Sequence, residues 1–418
     1  MAHSVQVGNS EISENSDASR YALCHMRFAL GPRYDANCFS LKYLKRGLLR
    51  FKRYALCAMR HALQSGIPNP KFFKEFILPI PGNLLTTAMA VMPHTDAEAA
   101  LAQALSLDIP FWPQLPRLNY YEDMYVQASE HFPGIVLDME KQTLAFSMDK
   151  FVVELEETLA HFDEPAYFDI STQYSDVYHR FLNLDFSDRP AIRGQLEGPI
   201  SFGLNVLDQD KRPIIFDDTV RPFVYEFMAK RINVQLERLK KLNPNAFMFV
   251  DEPGLQFLFS ALSGYDSNAA RKDMEEFLSM IERPRGVHLC GNPDWDFLLN
   301  QDMDILSMDV YLNGEIFSTY AHSIKRFLDN GGVIVWGIIP TNFEPFEAET
   351  IETLTSQLEN IWNILDEKGI EKDYLLSKSL ISPATCCLVN PDGEKTVEKA
   401  FKVVQDLSLR LREKYSLV

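Results

Sequence analysis

The stretch Val287-His288-Leu289-Cys290-Gly291 lies at the end of a short apolar run. Such runs alternate with helical stretches along the chain, and this alternation indicates the fold. A helical pattern over 268–282 precedes this stretch, and another apolar run begins downstream at Ile305. An apolar run, a helix and a second apolar run predict two parallel strands joined by a crossover helix.

This alternation extends over most of the chain. The predicted strands are Leu84–Met92, Ile109–Trp112, Ile192–Leu196, Phe247–Val250, Gly286–Leu289, Ile305–Met308, Val333–Gly337 and Ser379–Ser382. Helical patterns separate them, and a predicted hairpin at Gly134–Met148 with a helix at Lys150–His161 elaborates one early loop. Eight strand–helix units predict an α/β fold, a single closed (β/α)₈ TIM barrel over residues 81–418.

Composition excludes several classes of protein. The chain has 418 residues, a formal charge of −17 and six cysteines without regular spacing. This charge argues against nucleic acid as a partner, and no apolar run reaches the roughly 18 residues of a membrane span. Because the cysteines do not suggest a disulfide framework, we expect a reducing cytoplasm.

Residues 1–80 differ from the rest of the chain. Residues 1–70 hold ten Lys and Arg against four acidic residues, and the sequence Arg20–Leu30 recurs as Arg53–Leu63. The first nineteen residues are polar and predicted to be disordered, whereas 39–63 show an amphipathic helical pattern. We predict a basic, partly helical N-terminal extension that either packs on the main domain or docks an acidic partner.

Two distant stretches indicate one metal site. His288 and Cys290 are two residues apart, so on a strand they point to the same face. Imidazole and thiolate are preferred zinc ligands, and a thiolate from Ser382–Leu388 could complete the site. Such a zinc can hold a substrate sulfur as thiolate. The alternative is a buried cysteine beside a hydrogen-bonded histidine.

Polar side chains gather where the predicted strands end, which is where barrel enzymes place their active sites. The residues are His94, Asp96, Gln114, Arg117, Glu197, Asp251, Glu252, His288, Cys290, Asp309, Tyr311 and Cys386. Acids, imidazole and thiols together at one rim predict a catalytic site rather than a stabilised core.

Several segments resemble the catalytic barrel of cobalamin-independent methionine synthase, and more closely its short single-barrel relatives. They are Thr86–Pro93, Trp112–Arg117, Leu196–Ile200, Val250–Pro253, the His288-x-Cys290 strand, Asp304–Asp309 and Thr385–Leu388. The superfamily also holds uroporphyrinogen decarboxylase and zinc corrinoid methyltransferases. The resemblance covers roughly residues 84–415 and implies a zinc-dependent transfer of a methyl group to homocysteine, forming methionine.

The resemblance also implies roles for single residues. His288, Cys290 and Cys386 would bind zinc, with Asp309 as the fourth ligand where the long enzymes have Glu. Asp251 would hold the substrate amine as a catalytic and substrate-binding residue. Glu197, Met89 and Gln114 would also contact the substrate, whereas Glu252 and Cys387 would be structural.

Two departures from the family bear on the methyl donor. Ala90-Val91 replaces a Gly-Ser pair that meets the substrate carboxylate, and Trp336–Pro340 lacks a histidine that resembles a general acid for folate. A methylcorrinoid needs no such acid, because its leaving group is a reduced cobalt centre. We therefore expect a methylcorrinoid, free methylcobalamin or a corrinoid protein, as donor, with 5-methyltetrahydrofolate as the alternative.

Three other functions stay open at this point. A corrinoid–coenzyme M methyltransferase would share the zinc ligands, but its acceptor has no amine for Asp251. A uroporphyrinogen-decarboxylase-like enzyme needs no metal, which would leave the His and Cys set without a role. A non-enzymatic binding protein could keep the barrel and dock through its basic extension.

Overall fold

The computed structural model describes residues 80–258 and 265–417. The basic N-terminal extension, its repeat and its predicted helix lie outside the described residues.

Seven parallel strands form the main sheet. They are β1 (Leu85–Thr86), β4 (Arg193–Glu197), β5 (Phe247–Asp251), β6 (Arg285–Leu289), β7 (Ile305–Asp309), β8 (Val333–Ile339) and β9 (Ser379–Pro383). Their order across the sheet is β1-β9-β8-β7-β6-β5-β4, and every neighbouring pair is parallel. Consecutive strands are thus neighbours from β4 to β9, which makes the sheet curl in one direction, as in a TIM-like barrel.

Helices connect these strands. Their bounds are α1 (Ala97–Leu105), α2 (Met124–Ser129), α3 (Met148–Ala160), α4 (Asp176–Leu182), α5 (Pro199–Asn205), α6 (Arg221–Lys240), α7 (Ser267–Met280), α8 (Trp295–Leu299), α9 (Val310–Ser318), α10 (Ala321–Asp329), α11 (Phe343–Ala348), α12 (Ile351–Glu367), α13 (Lys372–Ser377) and α14 (Lys395–Lys414). Single turns of 3₁₀-helix lie at Tyr120–Glu122, Pro165–Phe168, Ile214–Phe216 and Pro253–Phe257.

Residues 109–114 lie between the two edges of the sheet without forming a regular strand. On one side, backbone bonds join them to the residues of β1 and beyond, and on the other Arg193 N donates to Pro110 O at 3.0 Å. Pro110 and Pro113 have no N–H to donate, which breaks the ladder in this stretch. The prediction of a closed eight-stranded barrel is therefore wrong in closure and in strand number. The α/β class and the curled parallel sheet agree with it.

The inner face of the sheet has its own small apolar core. Its buried members are Ile109, Ala191, Phe247, Phe249, Ile305, Val333, Val335 and Leu380. These side chains come from alternate positions of the strands, as expected when every second residue faces inward. A much larger cluster packs the outer face of the sheet against the helices. The sheet is thus buried on both faces, which explains its continuous apolar runs.

The early loop contains the predicted insertion. Strands β2 (Ile135–Asp138) and β3 (Thr143–Phe146) pair in antiparallel register, and α3 follows directly. Two helices, α9 and α10, lie between β7 and β8 and are separated at Thr319–Tyr320. Within the described residues, no helix combines the length and apolar composition that crossing a membrane requires.

Candidate metal centre

The strand register places several of the predicted site residues next to each other. Glu197 and Asp251 are the last residues of β4 and β5 and are register partners, and Asp251 is in turn the partner of His288 on β6. Asp309 ends β7, and Cys386 lies three residues beyond β9. Because the strands are parallel, these residues all belong to the carboxyl end of the sheet, although they are up to 189 positions apart in the sequence (386 − 197).

His288 is held in a neutral form. Its side chain is buried, and its Nδ1 lies 3.0 Å from Oγ of Ser307 on β7. Burial and the positive charge of Arg193 lower the pKa of His288 to about 3. Neutral imidazole is the form that binds metals, and a partner on Nδ1 leaves Nε2 for a ligand bond.

The two cysteines are protonated thiols in the metal-free chain. Burial raises the pKa of Cys290, and the charges of Asp309 and Asp251 raise it further. Cys386 is exposed as a residue, yet its thiol is crowded by neighbouring atoms, and this desolvation raises its pKa to about 12. The charges of Cys290 and Asp251 add to that shift. A bound cation would favour both thiolates.

Asp309 has a structural role in addition to its predicted one. It is buried, and Leu312 N donates to its Oδ1 at 3.0 Å, which caps helix α9. Burial raises the pKa of Asp309 to about 6, and hydrogen bonds from the amides of Leu312 and Tyr311 oppose this shift. The carboxylate of Asp309 is therefore engaged by the start of helix α9.

The donor set fits zinc in chemistry, but its members are not gathered around a point. Neutral imidazole, two thiols and a carboxylate are all ordinary zinc ligands. In the described part of the chain, no group of three or more His, Cys, Asp or Glu side chains is arranged so that it could hold a metal ion. The structure therefore brings His288, Cys290, Asp309 and Cys386 to one end of the sheet without assembling a coordination shell.

Asp251 carries an unusual carboxylate. Among the described residues, no group donates a hydrogen bond to it, and burial raises its pKa to about 7. The charge of Arg193 opposes that shift. An unsatisfied carboxylate at the carboxyl end of a strand can pair with a cationic ligand group. Asp251 caps no described helix, because the 3₁₀ turn Pro253–Phe257 that follows β5 has Glu252 at its N-cap position.

Arg193 is a buried cation that sequence reasoning missed. Its guanidinium donates to Thr87 Oγ1 (3.1 Å), to Gln195 Oε1 (3.0 Å) and to the carbonyl of Ala88. The rings of Phe111 and Phe249 lie 4.5 and 5.0 Å from its guanidinium carbon. Burial lowers the pKa of Arg193 to about 9, so the group stays charged at neutral pH. The alternation of polar residues at 193, 195 and 197 was the signal that could have placed it inside.

Glu197 and Glu252 have opposite environments. Glu197 is buried, its Oε1 has no described partner, and burial raises its pKa well above its usual range despite a hydrogen bond from Tyr125. Glu252 accepts from Ile200 N (2.9 Å), Ser201 N (2.8 Å) and Ser201 Oγ (2.6 Å) at the start of α5. Glu252 therefore stabilises the fold, whereas the surroundings of Glu197 favour its protonated form.

The remaining predicted substrate contacts lie in different surroundings. Gln114 is fully buried; its Nε2 donates to Gln127 Oε1 at 2.7 Å, and its Oε1 has no described partner. Met89 and Cys386 both line a cavity of about 10 Å³, which is room for one water and not for an amino acid. Met89 thus lies near the predicted ligand Cys386, whereas Gln114 is tied into a buried polar network.

A wider groove lies between the loops that follow β8 and β9. It measures about 530 Å³ and is lined by Asn342, Glu344, Pro345, Val389, Asn390 and Pro391. Val389 is largely exposed there. A groove of this size is within the range of small-molecule sites, and it borders the loop that carries Cys386.

Comparison with known proteins adds little to this geometry. No family model and no curated protein matches the chain. A B12-independent methionine synthase from Shewanella sp. W3-18-1, in complex with selenomethionine, aligns with 81% of this chain and 100% of its own at 12% identity and a TM-score of 0.48. A methyltransferase from Methanosarcina mazei aligns with 80% and 94% of the two chains at 13% identity and a TM-score of 0.47. An endo-1,4-beta-mannanase from Rhizomucor miehei aligns with 78% and 95% at 9% identity and a TM-score of 0.34.

Proposed function

We propose that this chain is a zinc-dependent S-methyltransferase that moves a methyl group to the thiolate of homocysteine and so forms methionine. The observation that carries the proposal is that neutral His288, two thiols and Asp309 lie at the carboxyl end of one sheet, where no described residue donates a hydrogen bond to the Asp251 carboxylate. A soft metal site beside a free carboxylate suits a substrate with both a thiol and an amine.

His288 Nε2, Cys290, Cys386 and one oxygen of Asp309 would hold the zinc ion. When bound, zinc lowers the pKa of a coordinated substrate thiol and keeps it as thiolate at neutral pH. Ser307 contacts Nδ1 of the imidazole ring, which leaves Nε2 as the nitrogen for a ligand bond.

Asp251 would recognise the amino group of homocysteine. Among the described residues no group donates a hydrogen bond to its partly buried carboxylate, and an ammonium group would supply both a donor and the opposite charge. Glu197 is its register partner on β4 and lies within reach of the same group. Met89 would contact the substrate near Cys386, with Gln114 more remote in the buried network.

A methylcorrinoid is the donor that this site fits best. The strand Val333–Ile339 is wholly buried and apolar, and Pro340 and Thr341 after it bring no titratable side chain. In the transfer, the substrate thiolate forms a bond to the methyl carbon while the methyl–cobalt bond breaks and its electron pair stays on cobalt. No proton is needed, and positioning supplies much of the rate. A corrinoid protein would approach over the groove beside Val389, with the basic residues of 1–70 as a docking aid.

The alternative donor, 5-methyltetrahydrofolate, has one specific observation in its favour. Its amine leaving group needs a proton, and Glu197 is a buried carboxyl group whose pKa burial raises well above its usual range, which favours the proton-carrying form. If Glu197 can reach the leaving nitrogen, it replaces the acid that is missing after β8. The corrinoid–coenzyme M reaction leaves Asp251 without a role, and a uroporphyrinogen-decarboxylase-like reaction leaves the zinc ligands without one.

The test combines metal analysis with a comparison of donors. Purified protein should carry about one zinc per chain, and Cys386→Ser should lose it while the circular dichroism spectrum stays that of the parent. Methionine should form from homocysteine with methylcobalamin, and coenzyme M should not replace homocysteine. Faster turnover with methyltetrahydrofolate would identify the folate enzyme instead, and Glu197→Gln should then abolish it. A Cys386→Ser protein with full zinc would overturn the ligand assignment.

A further inference from the structure

The loop that follows β9 carries Cys386 and has little regular structure of its own. Residues 384–394 contain only turns and bends, and Cys386 itself is exposed. A metal ligand on such a loop binds well only if neighbouring groups hold it in place. The question is which residues provide that support.

Asn390 connects this loop to the loop after β8. Its side chain is 9% exposed; its Nδ2 donates to Thr341 O at 2.8 Å, and its Oδ1 accepts from Phe343 N at 2.9 Å. Phe343 begins helix α11, whose N-cap residue Asn342 makes no side-chain capping bond. Asn390 thus supplies the cap from another loop, and both ends of its amide are used.

Thr341 returns the connection to the residue next to the thiol. It is 2% exposed, and its Oγ1 donates to Thr385 O at 3.0 Å. The carbonyl of Thr341 also accepts from Asn390. Thr341 therefore bonds to the loop after β9 on both sides of Cys386, at Thr385 and at Asn390. Ala384 N donates to Ile339 O at 2.8 Å and continues the sheet pairing up to that point.

We propose that Asn390 and Thr341 are positioning residues that set where the Cys386 thiol stands. Their hydrogen bonds join Thr385 and Asn390, which lie on either side of Cys386, to the turn after β8. That turn continues directly from the buried strand β8. This inference rests on the proposed role of Cys386 as a zinc ligand. Neither residue touches substrate or metal, and both act through the loop.

The variants follow from the hydrogen-bond chemistry. Asn390→Asp keeps the shape and the acceptor for Phe343 N but cannot donate to Thr341 O, and its charge faces that carbonyl. Thr341→Val keeps the shape and removes the hydroxyl, whereas Thr341→Ser restores it. Asn342→Asp makes the same change of amide to carboxylate on an exposed neighbour that caps nothing. It is the matched control.

The first measurement is zinc affinity of the full chain, by competition with a chromogenic chelator. Asn390→Asp and Thr341→Val should weaken zinc binding about 10- to 100-fold, as found for outer partners of metal ligands. Thr341→Ser should recover most of the affinity lost in Thr341→Val, and Asn342→Asp should bind as the parent does. Thermal unfolding of each metal-free variant shows whether it is folded. If Asn390→Asp does not fold, Thr341→Val alone provides the test of zinc affinity.

The second measurement does not depend on the proposed function. The rate at which iodoacetamide alkylates Cys386 in metal-free protein, measured by mass spectrometry of its peptide, should rise severalfold in Asn390→Asp and Thr341→Val. If Cys386→Ser keeps its zinc while these rates rise, the proposed function fails and the positioning role stands. If Cys386→Ser loses zinc but Asn390→Asp and Thr341→Val bind zinc and react as the parent does, the positioning role is wrong and the proposed function stands.

Discussion

The hydroxyl oxygen of Ser307 lies 3.0 Å from Nδ1 of His288, on the neighbouring strand of the sheet. The two residues are register partners, so the contact follows from the pairing of β6 with β7. A serine that engages Nδ1 orients the ring and leaves Nε2 as the nitrogen for a ligand bond. This contact therefore leads directly to a test of the metal centre.

Ser307→Ala should weaken zinc binding by roughly 10- to 100-fold without removing it, because the imidazole loses its orienting partner but keeps its ligand atom. Chelator competition on the purified protein measures this. Ser408→Ala is a suitable control, since Ser408 is equally buried and donates to Leu84 O at 2.6 Å, away from His288. Equal zinc affinity of parent and Ser307→Ala would rule out the orienting role.

Asp251→Asn should impair the use of homocysteine far more than the binding of zinc. Losing a charge-assisted hydrogen bond costs roughly 1.5–3 kcal/mol, which is about ten- to 150-fold in kcat/KM. Steady-state kinetics with homocysteine, beside zinc content, separates the two effects. If the parent protein methylates simple thiols without an amine as fast as homocysteine, Asp251 has no role in recognising an amino acid.

The same residue makes the stability of the metal-free protein depend on pH. The pKa of Asp251 rises from 3.8 in the unfolded chain to about 7 in the fold. Its contribution to stability is therefore fully present below pH 3.8 and is lost as the pH rises through about 7. At pH 8, Asp251→Asn should have a higher free energy of unfolding than the parent, by on the order of 4 kcal/mol at most.

Urea unfolding of both metal-free proteins at pH 5 and pH 8 measures this difference. The gain in Asp251→Asn should be clearly larger at pH 8 than at pH 5. If Asp251→Asn is less stable than the parent at both pH 5 and pH 8, the Asp251 carboxylate has a hydrogen-bond donor in the folded protein, and this prediction is wrong.

Glu252, the next residue, should behave in the opposite way. Glu252→Gln places an amide N–H where three donors from Ile200 and Ser201 converge, so at least one buried donor loses its acceptor. Each unsatisfied donor costs roughly 1–3 kcal/mol. Urea unfolding should therefore show a loss of stability, while zinc per chain stays that of the parent.

The control for this loss is Glu344→Gln. Glu344 is exposed in the groove after β8, and a surface change of this kind stays within about 0.5 kcal/mol. If Glu252→Gln and Glu344→Gln unfold at the same urea concentration, the capping role of Glu252 is wrong.

Much of the fold could be predicted from local pattern. The predicted strand at Phe247–Val250 is observed as Phe247–Asp251, and the predicted strand at Ile305–Met308 is observed as Ile305–Asp309. Apolar runs and helical periodicity report burial of neighbouring residues, which local sequence encodes. The segment at Ile109–Trp112 failed because apolar character alone predicted a strand, whereas Pro110 and Pro113 cannot donate to a regular ladder.

The order of strands and helices follows from local sequence pattern. Because parallel strands joined by helices share one carboxyl end, this order also places His288, Asp251 and Asp309 at the same end of the sheet. The hydrogen-bond or charge partner of each of these side chains depends on the tertiary structure. The charge of Arg193 beside Asp251, the hydroxyl of Ser307 on His288 and the hydrogen bond of Asn390 to Thr341 join residues 19 to 58 positions apart. Strand register and loop packing set such contacts, and no local pattern encodes a hydrogen bond between residues that only the fold brings together.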